Sequence, residues 1–140
     1  MTYRALDIAK HIISKSTADH QPVSNLQLQK ILYYVQRIFL QNGAVAFNDD
    51  FEAWQFGPVI PEVYYMYCGF GAAGIRMEYK MDINKDYASI IDPIVEEKRK
   101  LNPWDMVEDT HRQGKAWNEI YNNGIGDRRI IPKELIKEKG

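Results

Sequence analysis

One cysteine, three histidines and a run of acids beside one of the histidines are the residues of this chain best suited to covalent or acid–base chemistry. Glu108-Asp109-Thr110-His111 sets two carboxylates and a hydroxyl beside an imidazole, the types an acid–base or nucleophilic mechanism uses, and Cys68 adds a thiol elsewhere. A cysteine–histidine hydrolase needs the two side chains in contact. No local signature marks Cys68 as a nucleophile, since it closes an aromatic segment just before Gly69, so a buried, inert thiol is expected. His11, His20 and His111 fall on separate elements with no pair at helical ligand spacing, so the sequence assembles no metal site. A single cysteine likewise makes neither an intrachain disulfide nor a thiolate cage, which fits a reducing cytoplasm. His111 is expected on a half-buried helix face, hydrogen-bonded to a backbone carbonyl. Gly69-Phe70-Gly71-Ala72-Ala73-Gly74 follows no buried parallel strand and reads as a loop, not a phosphate cradle, so no cofactor is implied.

The net charge of -1, from 18 basic and 19 acidic residues, supplies no field that would gather a polyanion or an anionic membrane. Arg128-Arg129 with Lys133 could touch a nucleic-acid backbone, and Lys98-Arg99-Lys100 follows Glu96-Glu97 and reads as a solvated face, so nucleic-acid binding is not expected. The richest apolar segment, Ile31 to Leu40, is interrupted by Gln36 and Arg37, too early for a membrane span. The opening Met1-Thr2-Tyr3-Arg4 has no secretory pattern, and nothing along the chain suggests a second domain.

Large aromatics are concentrated in the first half: Tyr33, Tyr34, Trp54, Phe56, Tyr64, Tyr65, Tyr67 and Phe70. Phenol hydroxyls need partners, which favours positions bordering water or another chain. Lys30, Tyr34, Arg37 and Gln41 recur at helical spacing and are expected to form an outer face beside a core stripe of Leu28, Ile31, Leu32 and Val35. With Trp54 and Tyr64, the residues Lys30, Tyr34 and Arg37 are the candidates for contact with a protein partner, because tyrosine, tryptophan and arginine dominate binding hot spots.

The elements that must position these residues read as mainly α: a compact single-domain bundle over residues 1–140, with roughly five to six helices. A first helix carries Ala5, Ile8, Ala9 and Ile12 inward and ends near Thr17; Ser24 and Gln27 form a capping box for a second, which stops at Asn42-Gly43. Phe51 to Phe56 alternates with period two and predicts one short extended or β segment, ended by Gly57-Pro58. Pro61 opens a third helix, residues 69–86 form a loop of weak order, and Ile90, Ile91, Ile94 and Val95 define a fourth helix with Asp92-Pro93 near its start. Asn102-Pro103 opens a fifth with Trp104, Val107 and His111 on one face, ended by Gly114. Helical pieces around Trp117 and from Pro132 to Lys137 follow, the latter after the extended Arg128-Arg129-Ile130-Ile131.

The block Ser24-Asn25-Leu26-Gln27-Leu28-Gln29-Lys30-Ile31-Leu32-Tyr33-Tyr34-Val35-Gln36, followed by Phe51-Glu52-Ala53-Trp54-Gln55-Phe56-Gly57-Pro58-Val59-Ile60-Pro61-Glu62-Val63-Tyr64, resembles the Panacea domain. That family includes SocA-like antitoxins and GepA-like phage-associated proteins. The motif positions are Leu28, Lys30, Leu32, Tyr33, Glu52, Ala53, Trp54, Gly57, Pro58 and Val59, with Thr110, His111 and Trp117 near the C-terminus, so the similarity covers most of the chain. The resemblance implies no catalysis. It implies an antitoxin of a bacterial or prophage toxin–antitoxin system, binding and silencing a cognate toxin encoded by the adjacent gene. A member of the family acts as an adaptor that hands its toxin to a cellular protease, which is the alternative reading. An enzyme using His111, and a DNA-binding regulator acting through Arg128, Arg129 and Lys133, are further alternatives; an added DNA-binding module is not evident.

Overall fold

The computed structural model describes residues 3–80 and 82–140; Met1, Thr2 and Met81, the last within the segment read as a weakly ordered loop, lie outside the described residues. Helix α1, Ala5–Ala18, buries Ala5, Ile8, Ala9, Ile12 and Ile13, the spacing its sequence predicts, and Asp7 closes its first turn by accepting the Arg4 amide at 3.1 Å. Helix α2, Asn25–Gln41, is the axis of the domain. Its N-cap is the expected box: Ser24 Oγ accepts from the Gln27 amide at 3.2 Å and Gln27 Oε1 accepts from the Ser24 amide at 2.9 Å. Gly43, with φ +77°, ends it in the left-handed region. Ser24→Ala is expected to cost about 1 kcal/mol of stability, the usual value of such a cap; chemical denaturation would check it.

Three strands follow in part. β1, Phe51–Trp54, and β2, Gly57–Val59, form an antiparallel hairpin, and β3, Ile130–Ile131, pairs with the other side of β1, giving the order β2-β1-β3. Gly57-Pro58 therefore does not end an isolated extended segment but starts the returning strand. Gly57, at φ +119°, supplies the reversal, and Pro58 sits in an edge strand where its missing N–H breaks no ladder bond.

Helix α3, Pro61–Tyr67, starts at proline as expected and runs into a short 3₁₀ turn over Cys68–Phe70. The following segment is tied back by specific contacts: the Ile75 amide to the Val23 carbonyl at 2.8 Å, the Tyr79 amide to Ser14 Oγ at 2.8 Å, and the Tyr67 and Tyr79 hydroxyls to each other at 2.8 Å. Helix α4, Lys85–Lys98, begins earlier than its apolar repeat suggests, so Pro93 lies inside it. Pro93 and Ser89 are both exposed, and water can satisfy the Ser89 carbonyl that a proline leaves unbonded. Ile91, Ile94 and Val95 face the core, but Ile90 is exposed.

Helix α5, Pro103–His111, carries the predicted Asn102 cap, and α6, Ala116–Tyr121, and α7, Lys133–Lys139, complete seven helices among the described residues, making the protein mainly α. None of these helices is long and apolar enough to cross a membrane. α2 touches α1, α3, α4, α5, α7 and β2, so nearly every side of it is covered. Its buried amides do structural work on irregular backbone: Gln36 donates to the Phe47 carbonyl and accepts from the Ala46 amide, while Gln29 accepts from the Ile60 amide at 3.0 Å. Such satisfied interior amides select one loop arrangement over compact alternatives.

Candidate functional site

The outer face expected for Lys30, Tyr34, Arg37 and Gln41 is kept only in part: Tyr34, Arg37 and Gln41 line one hollow, whereas Lys30 lies on an enclosed part of α2. Lys30 is 0% exposed. It reaches over the hairpin and donates from Nζ to the Phe56 carbonyl at 2.5 Å, so it cannot touch a partner and instead clamps the turn between β1 and β2. With only that carbonyl to compensate burial, the ammonium is held well below the ordinary lysine range, at about 7.

The clamp explains the need for glycine beside it. A Cβ at Gly57 would run into the Lys30 ammonium and sit close to Thr110 Oγ1, at a positive φ that side chains rarely adopt. Gly57→Ala is expected to cost about 2–3 kcal/mol and to loosen the hairpin. Thermal unfolding would check the first, and amide exchange across residues 51–59 the second.

Phe56, at the apex of this clamped turn, is 50% exposed and packs edge-on against Trp104, 57% exposed, with ring centres 5.4 Å apart. Trp104 is expected to share one half-buried face of α5 with Val107 and His111. The helix instead buries Met106, Val107 and Thr110, and Trp104 falls just outside that stripe.

Beside the Phe56–Trp104 pair opens a hollow of about 520 Å³ between the start of α2, the hairpin and α3. Trp54 forms one wall, edge-on to Tyr64 at 5.0 Å, with the Arg128 guanidinium over its face at 4.2 Å. Arg128 also donates to the Tyr65 hydroxyl at 3.3 Å. The base holds two buried amides. Asn25 Nδ2 donates to the Tyr64 carbonyl at 3.1 Å, and Gln29 Nε2 donates to Asn25 Oδ1 at 3.1 Å. Cys68 lies on the lip, exposed, because the inward positions of α3 are Val63 and Tyr67 and the next residue points away. The thiol is therefore not a core residue.

Of the candidate contact residues, Trp54 and Tyr64 share this groove. Tyr34 and Arg37 line a different hollow, which has no lining residue in common with the first. Phe56 and Arg128 also line the groove, and Tyr65 and Trp104 pack against its lining residues; Phe56 and Tyr65 belong to the aromatic concentration of the first half, whereas Trp104 and Arg128 stand far off in the chain. Asn25 and Gln29 left a clearer trace, as polar residues four apart beside a core stripe.

The acid–imidazole run is dispersed by the fold. Asp109 accepts from the Tyr34 hydroxyl at 2.8 Å and pairs with Arg112 at 2.7 Å, and Glu108 is exposed. His111 stacks on Trp117 with centroids 3.5 Å apart and planes 2° from parallel, and Trp117 Nε1 donates to the Trp54 carbonyl at 2.7 Å. The Phe56 carbonyl, which also accepts from Lys30, favours the protonated ring, but Nε2 is shielded without a hydrogen bond, so the expected carbonyl bond is not made. Burial, then the Lys30 charge, hold His111 down at about 4, so it stays neutral near pH 7. Lys30 and Thr110 both crowd Gly57, and His111 stacks on Trp117, whose indole holds the Trp54 carbonyl, so these residues brace the hairpin behind the groove.

Residues 28–118, which include this whole supporting chain, match the model of the antitoxin SocA-like, Panacea domain family. This chain belongs to that family. It is also 31% identical over 154 aligned positions to antitoxin SocA of Caulobacter vibrioides (strain NA1000 / CB15N), covering 94% of this chain and 79% of the relative. No solved structure matches it. Within the Panacea match lie Lys30, Trp54, Phe56, Gly57, Thr110, His111 and Trp117, while Asn25, Asp127 and Arg128 of the groove lie outside it.

Proposed function

We propose that this Panacea-domain protein is an antitoxin that works by binding, not catalysis: it docks a cognate protein toxin in the aromatic groove and holds it inactive in the cytoplasm. The observation that carries the reading is the exposed Phe56–Trp104 pair, set on a clamped turn beside the hollow walled by Trp54 and Tyr64. Half-exposed large rings on a rigid support are what a protein interface uses as anchors, since little conformational freedom is lost when they are covered. The similarity to a relative named as an antitoxin supports the same role.

The toxin is proposed to be the product of the adjacent gene. Expression of that gene alone should arrest growth, co-expression should restore it, and the two proteins should co-purify. A harmless neighbour, or a toxic one that does not associate, would defeat the proposal. Toxin half-life measured in the same cultures separates the two modes of silencing. Direct neutralisation leaves it unchanged, whereas a shortened half-life would mean delivery to a protease.

A further inference from the structure

The second hollow, of about 410 Å³, lies between the C-terminal half of α2, α4 and the end of α5. Four cationic side chains line it, Arg37, Lys98, Arg112 and Lys115, against two carboxylates, Glu97 and Asp109. Neither acid neutralises Arg37. Asp109 is occupied by Arg112 and the Tyr34 hydroxyl. Glu97 is 73% exposed and stands 3.6 Å from Lys98, whose ammonium also lies 4.3 Å from the centre of the Tyr34 ring.

Among the described residues Arg37 has no ion-pair partner, and its Nε is shielded from solvent with no hydrogen bond. Lys115 Nζ donates to the Gly140 backbone oxygen at 3.0 Å. Its ammonium is nevertheless pushed down, by burial first and then by the charges of Arg37 and Arg112. With Arg112 and Lys98 each beside one carboxylate, Arg37 and Lys115 are the two cations of this concavity that no side-chain carboxylate neutralises, an arrangement that favours an anion there.

We infer that this hollow is a binding site for a small molecule bearing a phosphate group. The side chains that line it carry an excess of two positive charges, which matches a phosphate dianion and overshoots a single carboxylate. Guanidinium forks such as those of Arg37 and Arg112 suit its oxygens. The volume falls in the range of small-molecule sites and exceeds what a bare ion fills, and Ile38 and Ile94 provide an apolar wall for the remainder of the ligand.

The test is calorimetric titration of the full chain, at low chloride, with inorganic phosphate, pyrophosphate, acetate and a short single-stranded oligonucleotide. Phosphate and pyrophosphate should bind saturably at one site, at least tenfold more tightly than acetate. Arg37→Gln should weaken binding at least tenfold. Because the Arg37 stem lies against Gly140, Arg112→Gln serves as a second variant on an exposed side chain and should also weaken binding several-fold, with an unchanged circular dichroism spectrum. Absence of saturable phosphate and pyrophosphate binding, equal affinity for acetate, binding of the oligonucleotide alone, or two variants that bind like the parent would each overturn the inference. Arg112→Gln should leave toxin co-purification intact, so the outcome here is independent of the groove.

Discussion

Stability is expected to rise between pH 7 and 10, and Lys30→Met is expected to flatten that rise. The folded protein holds Lys30 at about 7, against 10.5 for an ordinary lysine. Between these values the unfolded chain binds the extra proton, so raising the pH favours the folded state, by about 1.4 kcal/mol per pH unit. Across the whole interval the gain is about 5 kcal/mol, as an order of magnitude. Below pH 7 the folded protein carries a buried ammonium with one carbonyl for company, and its stability is at the low end of this range.

Methionine keeps most of the stem and removes the charge, leaving the Phe56 carbonyl without its donor. The variant should therefore compare most favourably with the parent near pH 6 and least favourably near pH 9.5, the difference moving by about 3 kcal/mol. Above pH 10 both proteins should lose stability, because burial pushes the Tyr33, Tyr34 and Tyr67 phenols above their usual value and the unfolded chain ionises first. Urea denaturation at a series of pH values provides the measurement; parallel curves for the two proteins would show that Lys30 keeps its proton throughout.

Removing both rings of the Phe56–Trp104 pair should weaken toxin binding by about 2–4 kcal/mol, roughly 30- to 1000-fold in Kd, the range of anchor residues. Both rings are half exposed in the free protein, so the double alanine variant should stay folded, with a loss of stability small beside its loss of affinity. Ile90→Ala is the control: Ile90 is also exposed, at 43%, but lies on α4 away from the groove lining. Calorimetry with the co-expressed toxin reads all three. A double variant that binds as tightly as the Ile90→Ala control would move the contact surface elsewhere.

The groove also shows why its parts were hard to assemble from the chain. Trp54 and Tyr64 were selected by residue type, and both reach it. Phe56 and Trp104 meet only because Lys30 fastens the hairpin turn next to α5. Arg128 arrives through backbone pairing, its amide donating to the Ala53 carbonyl at 2.7 Å. None of these approaches has a near-neighbour signature.

What the amino-acid order determined unaided was local: the capping box that starts α2, the glycine that stops it, the prolines that open α3 and α5, the helical repeat of α1, and the motif positions that mark a Panacea domain. Caps, φ preferences and apolar periodicity act over a few residues, so they are legible along the chain. Which side of α2 is outside was decided by the tertiary structure alone. A helix touched by five others and a strand keeps only part of the face that its own repeat outlines, and that is why Lys30 became a buried clamp while Tyr34 and Arg37 were left to line a basic hollow.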